Sequence, residues 1–118
     1  MENSKFVINE DGKPVLSGKI LKKNRFFMQQ ERLFELHGNG DLKYFHGIEQ
    51  KGIMVLTKRS KARKVSKTEF DIVLPDAGKT YKLIQVDLKK CPPKTLTYSC
   101  EIDDWVDAIN FVVAYQNR

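Results

Sequence analysis

Ile102-Asp103-Asp104-Trp105-Val106-Asp107-Ala108-Ile109-Asn110-Phe111-Val112-Val113 is the stretch that decides the fold. Ile102, Trp105, Val106, Ile109, Val112 and Val113 recur at helical spacing and form one stripe, while Asp103, Asp104, Asp107 and Asn110 take the opposite face. Such a stripe has to cover an apolar surface. Everything before it alternates with a period of two, so the helix is expected to close one end of a small barrel or sandwich and leave the other end free for a ligand.

Working back from the helix, the alternation predicts strands over Val15 to Lys23, Met28 to Leu36, Leu42 to Phe45, Gly52 to Leu56, Phe70 to Leu74 and Thr80 to Val86, with Thr95 to Cys100 as a last strand before the helix. Val65 is a candidate for a short further strand. His37-Gly38-Asn39-Gly40-Asp41 and Pro75-Asp76-Ala77-Gly78 read as turns, and Pro92 and Pro93 forbid a central strand at Lys89 to Lys94. The fold class is mainly β with one C-terminal α-helix: about seven strands in two antiparallel sheets capped by the helix. Residues 1–14 are a lead-in and 15–118 the domain, without repeats, low-complexity tracts or linkers.

At 118 residues the chain is one domain able to bury its own core. Cys91 and Cys100 are too few for a disulfide framework, and with His37 and His46 they fit no zinc spacing, so no metal is expected and the default is a reduced, intracellular protein. Cys91 is read as a plain exposed thiol. The polar start Met1-Glu2-Asn3-Ser4 lacks an apolar signal region, and the apolar runs are too short to span a bilayer, so a soluble chain is expected.

Twenty-one Lys plus Arg against fifteen Asp plus Glu leave a net charge of +6, which favours a polyanionic partner. Seven basic residues and no acid lie between Lys51 and Lys67, whereas acids gather in the closing helix, which predicts an electrostatically polarised molecule. If that run faces a bilayer, each cation adds up to ~1 kcal/mol of attraction to anionic lipid.

The order and spacing of these pieces resemble a pleckstrin homology (PH) domain over roughly Val15 to Tyr115. The resemblance is carried by Gly18-Lys19-Ile20-Leu21-Lys22, Arg32-Leu33-Phe34-Glu35-Leu36, Leu42-Lys43-Tyr44-Phe45, Lys51-Gly52-Ile53-Met54-Val55-Leu56, Phe70-Asp71-Ile72-Val73-Leu74, Thr80-Tyr81-Lys82-Leu83-Ile84 and Asp104-Trp105-Val106-Asp107-Ala108-Ile109. It implies a head-group pocket in which Lys22, Arg32 and Tyr44 match the family's lysine, arginine and tyrosine, and Lys51 matches a fourth-strand lysine of several phosphoinositide binders. Lys23 and Arg25 are further candidates.

Strand parity supports the same site independently. Lys22 shares a face with Ile20, and Arg32 with Phe34 and Leu36, so both charges sit at the rim of an apolar interior and call for an anion or water. Arg offers a planar fork to phosphate and Lys a point charge. Gln30 departs from the basic-x-arginine pattern, which weakens the case for a polyphosphorylated inositol and favours a simpler phosphomonoester, phosphatidic acid or a monophosphoinositide. Nine residues separate Lys22 from Arg32, a short loop implying a shallow site. Phe26 and Phe27 beside Arg25 are candidates for membrane insertion, against the alternative of one buried and one partly exposed ring. Trp105 belongs to the core.

The expected function is a non-catalytic, cytosolic and peripherally membrane-associated recruitment module in signalling, binding the phosphate head group of an anionic phospholipid. It needs no cofactor. A second anchoring signal, a lipid chain or dimerisation, is expected outside these 118 residues, which are open to being a fragment of a longer protein. The alternative is a PH-fold protein-protein interaction module with little lipid specificity. An enzyme has no phosphate loop, nucleophile elbow or His-centred constellation to support it. A nucleic-acid-binding OB barrel is disfavoured because its helix falls mid-chain.

Overall fold

Strand alternation and the terminal stripe build the elements β1 (Leu16–Lys23), β2 (Gln29–Leu36), β3 (Asp41–His46), β4 (Glu49–Val55), β5 (Lys61–Lys64), β6 (Glu69–Leu74), β7 (Lys79–Gln85) and α1 (Ile102–Gln116), with 3₁₀ turns at Pro75–Ala77 and Leu88–Lys90. The structure is a computed structural model that describes residues 5–9 and 11–117. The start at residues 1–4 lies outside the described residues. No helix among them is long and apolar enough to cross a membrane.

The seven strands are antiparallel in the order β4-β3-β2-β1-β7-β6-β5. β1 pairs along its whole length with β2, from Leu16↔Leu36 to Lys23↔Gln29, and its C-terminal half also pairs with β7, from Ile20↔Gln85 to Lys22↔Leu83. The two expected sheets are therefore joined through β1 into one. Its inner face carries Ile20, Phe34, Leu36, Leu42, Met54, Ala62, Phe70, Ile72 and Leu83, and α1 buries Trp105, Ile109 and Val112 against them.

Trp105 is fully buried, as expected, with its ring edge-on to Phe34 at 6.2 Å. Its Nε1 donates to the Ser99 carbonyl at 2.7 Å. Gly18 makes this approach feasible, because a β-carbon there would collide with that carbonyl. The first turn of α1 has no side-chain cap of its own. Ile102 N donates instead to Gln85 Oε1 at 3.1 Å, and Asp103 and Asp104 complement the positive end of the helix.

Three expectations are corrected. Thr95 to Cys100 is not a strand: it makes one parallel bridge, Ser17↔Tyr98, before Ser99 turns the chain into α1. The short further strand expected at Val65 is β5, which ends at Lys64, one residue before Val65, and places only Ala62 inward. β4 starts at Glu49 rather than Gly52, because the exposed polar residues Glu49, Gln50 and Lys51 extend the ladder without an apolar signature.

The lead-in packs on the domain where it is described. Phe6 is buried with its ring 5.8 Å from Phe111, and Lys5 forms an ion pair with Asp104. Asp104 also accepts from Ser99 Oγ at 2.7 Å and pairs with Lys94 at 3.3 Å. Burial alone would raise its carboxyl, but hydrogen bonds from Lys5, Ser99 and Lys94 outweigh that and hold it below the usual carboxylate range.

Candidate functional site

The end of the sheet away from Trp105 is where charge enters the inner face. Ile20 is buried, and two residues further along β1 Lys22 takes the next inward position, opposite Gln30 of β2 and Leu83 of β7. Lys22 Nζ lies 5.3 Å from the ring centre of Tyr44 and 5.4 Å from that of Tyr81, so two aromatic faces flank one ammonium. Tyr44 is set by its neighbours: Phe34 opposite it on β2 has its ring 5.4 Å away, and Gly52 opposite it on β4 leaves room for the phenol. A β-carbon at position 52 would collide with the Tyr44 hydroxyl.

Between the β1–β2 loop at Lys22 to Phe27, Tyr44, and the start of β7 at Lys79 to Lys82 lies a cleft of about 710 Å³. Of the cations that line it, Lys82 pairs with Asp71 at 3.5 Å. Burial lowers the Lys22 pKa, and the nearby charges of Arg32 and Lys79 lower it further. Burial and Tyr81 raise that of Tyr44, with Arg32 opposing, so Tyr44 keeps a proton to donate. Among the described residues, Lys22, Lys23, Arg25, Arg32 and Lys79 have no carboxylate within ion-pair distance.

The basic run that dominates the sequence differs. Arg59 pairs with Asp76 at 2.8 Å, Arg63 with Asp71 at 3.4 Å and Lys64 with Asp103 at 2.8 Å. Much of the charge counted there is spent inside the fold. Among the described residues Lys58, Lys61 and Lys67 stay unpaired there, as the five cations at the cleft do.

Of the residues expected to bind a head group, Lys22, Lys23, Arg25 and Tyr44 line this cleft together. Arg32 acts on Lys22 and Tyr44 through its charge, while its Nη1 donates to the Glu31 carbonyl at 2.9 Å. Lys51 is not brought to the cleft. Gly52 shares the inward parity of the buried Met54 and Leu56, so Lys51 faces outward by alternation and pairs with Glu49 at 3.6 Å. Lys79, Tyr81 and Lys82 complete the lining and were not anticipated. Counting back by twos from the core residue Leu83 finds Tyr81 and Lys79 on the inner face.

The loop over the cleft is built around Asn24. Asn24 Oδ1 accepts from Phe26 N at 2.8 Å and Met28 N at 3.0 Å, and the Asn24 carbonyl accepts from Phe27 N at 2.9 Å. Phe27 is held at φ 63°, the left-handed region that a bulky side chain disfavours. Phe26, Phe27 and Met28 are 67%, 77% and 64% exposed, so neither ring is the buried partner of the other. The Arg25 guanidinium lies 4.9 Å from the Phe26 ring centre.

Elsewhere, His37 pairs with Glu35, and no group of three metal-ligating side chains assembles among the described residues. Cys91 is half-buried rather than plainly exposed. Its thiol is pushed up to about 11 by burial and by contact with Cys100.

No protein-family model and no curated protein matches the chain. Among solved structures, it is similar to the solution structure of the PH domain of human oxysterol binding protein-related protein 11, with a TM-score of 0.61 at 20% identity, over 86% of this chain and 82% of that one. The chain has the PH fold. Within it, the cleft lies at the end of the PH sheet away from Trp105, and β1, β3 and β7 each contribute a side chain to it.

Proposed function

We propose that this PH-fold module is a non-catalytic membrane-recruitment domain that binds the phosphate of an anionic phospholipid in the basic cleft. The observation that carries the reading is the set of unpaired cations, Lys22, Lys23, Arg25 and Lys79, lining one aromatic-walled cleft, with Arg32 outside the lining but acting on Lys22 through its charge. Their mutual repulsion costs stability in the empty state. A phosphate relieves it, so binding draws on charge already concentrated there. Lys22 and Lys79 contact the phosphate as point charges, Tyr44 donates its hydroxyl, and Arg32 adds charge from the rim.

Opposite Lys22 stands the neutral Gln30, and the described cleft lining contains no His, Cys, Asp or Glu. The first supports a phosphomonoester head group, phosphatidic acid or a monophosphoinositide, over a polyphosphorylated inositol. The second supports binding without proton transfer. Co-sedimentation with vesicles of equal surface charge, containing phosphatidic acid, phosphatidylserine or single phosphoinositides, tests the reading. Preference for one phosphomonoester lipid, lost in Lys22→Ala/Arg32→Ala, supports it. Equal binding to all vesicles, unchanged by the substitutions, refutes it and points to a protein partner.

A further inference from the structure

The face of the sheet opposite Lys22 carries a second chemistry: we infer that Cys91 and Cys100 form a redox-switchable staple, a thiol pair that low-molecular-weight disulfides close into an intramolecular bond. The inference is independent of the reading of the cleft. Both cysteines are free, and the fold brings them together beside Lys19 and Glu31, outward positions of β1 and β2. Their side chains are in hydrogen-bonding contact, Cys91 Sγ lies 3.6 Å from the Asp87 carbonyl, and Cys100 Sγ donates to Tyr98 Oη at 3.7 Å.

The contact is held from both sides by backbone bonds. Cys91 N donates to the Leu88 carbonyl at 3.2 Å as the cap of the second 3₁₀ turn. The chain before Cys100 is stitched to β1, with Ser17 N donating to the Thr97 carbonyl and Ser99 N to the Ser17 carbonyl, both at 2.9 Å. Pro92 and Pro93 stiffen the return between the two cysteines. Thiols held together in this way need little further ordering to bond.

Cys91 is half-buried and Cys100 buried, so a dissolved oxidant meets Cys91 first. Cys91 loses its proton, and its thiolate attacks one sulfur of the small disulfide. That S–S bond breaks, a small thiolate leaves and takes up a proton, and a mixed disulfide remains. Cys100 then gives up its proton and attacks the Cys91 sulfur, so that the Cys91–Cys100 bond forms and the second small thiol departs. Two electrons pass from the protein pair to the small disulfide. Burial, and after it the hydrogen bond with Cys100, push the Cys91 thiol up to about 11. The first step is therefore slow at neutral pH, and the same lack of thiolate stabilisation favours the closed form once it is made. Closure ties the end of the 3₁₀ turn to the entry of α1.

The full chain equilibrated with either reduced or oxidised glutathione tests this. In oxidised glutathione, wild type is expected to lose two hydrogens and retain no glutathione, with peptide mapping linking Cys91 to Cys100. Its Tm is expected to stand about 10 °C above that of the reduced form, the scale of closing a short loop, and dithiothreitol should reverse both changes. Cys91→Ser is expected to show the same Tm in the two buffers. Glutathione retained on Cys91 without the link, a link between two copies instead, a linked chain with unchanged Tm, or an equal Tm rise in Cys91→Ser overturns the staple.

Discussion

Asn110 and Ala62 exchange two hydrogen bonds: Ala62 N donates to Asn110 Oδ1 and Asn110 Nδ2 donates to the Ala62 carbonyl, both at 2.9 Å. The side-chain amide thereby takes the place of a neighbouring strand at the free edge of β5, and the same contact ties α1 to the sheet. Edge strands left open invite unwanted pairing, and here one residue of the closing helix prevents it.

Asn110→Ala leaves the nearly buried Ala62 amide without its partner, and is expected to lower stability by about 1–3 kcal/mol. Urea unfolding measures it. Asn117→Ala, which removes only an exposed bond to the Lys58 carbonyl, is the control and should change stability little.

Lys22 sets stability against binding. Burial and the charges of Arg32 and Lys79 lower its folded pKa, so the unfolded chain holds this proton more readily. The penalty is fully present below the folded pKa, and stability rises with pH through the window between the folded value and the ordinary lysine value. Lys22→Met keeps the packing against Tyr44 and Tyr81 while removing the charge. It is expected to raise Tm slightly and abolish lipid binding, as thermal unfolding and co-sedimentation would show together.

Gly52→Ala places a β-carbon against the Tyr44 hydroxyl and forces the ring aside. A cost of about 1–3 kcal/mol is expected, typical of overpacking. Lipid affinity should fall with it, because Tyr44 forms one wall of the cleft. Gly47→Ala tests the alternative that any β4-side glycine is sensitive. A β-carbon there meets nothing within 4 Å, so it should cost only the strain of its positive φ and leave binding intact.

Asp104 is the acid-sensitive point of the lead-in. Its folded pKa is depressed, so its contribution is complete above the unfolded value of about 3.9 and is lost as pH falls from there through the folded pKa. Asp104→Asn is expected to cost about 1–3 kcal/mol at neutral pH and to flatten the stability profile below about pH 4. Denaturant midpoints at several pH values check both.

The closing helix and most strands were legible because each buries one face and so writes its period into the sequence. Phe70, Ile72 and Leu74 announce β6; the charged β5 has only Ala62 facing in and announces nothing. Thr95 to Cys100 alternates yet forms no strand, since hydrogen-bond partners over its length are a tertiary property. The site divides similarly. Lys22 was read from parity and resemblance and Tyr44 from resemblance, with Lys23 and Arg25 as further basic candidates beside them, whereas Lys79 and Tyr81 join the cleft only through the pairing of β1 with β7, far apart in the chain. Lys51 came from the resemblance alone, and counting back by twos from the buried Leu56 and Met54 places Gly52 inward and Lys51 outward. Of the seven cations in the basic run, Lys51, Arg59, Arg63 and Lys64 are paired in the fold, which a charge count cannot show.

The central claim is that the cleft holds a phosphate. It is tested most directly by titrating isotope-labelled protein with short-chain phosphatidic acid and following backbone and lysine side-chain resonances. Shifts should concentrate at Lys22 to Phe27, Tyr44 and Lys79 to Lys82, with the Lys22 ammonium pKa rising on saturation as the phosphate offsets Arg32 and Lys79. Shifts centred on Lys58 to Lys67 with Lys22 unmoved, or none at all, would contradict the account.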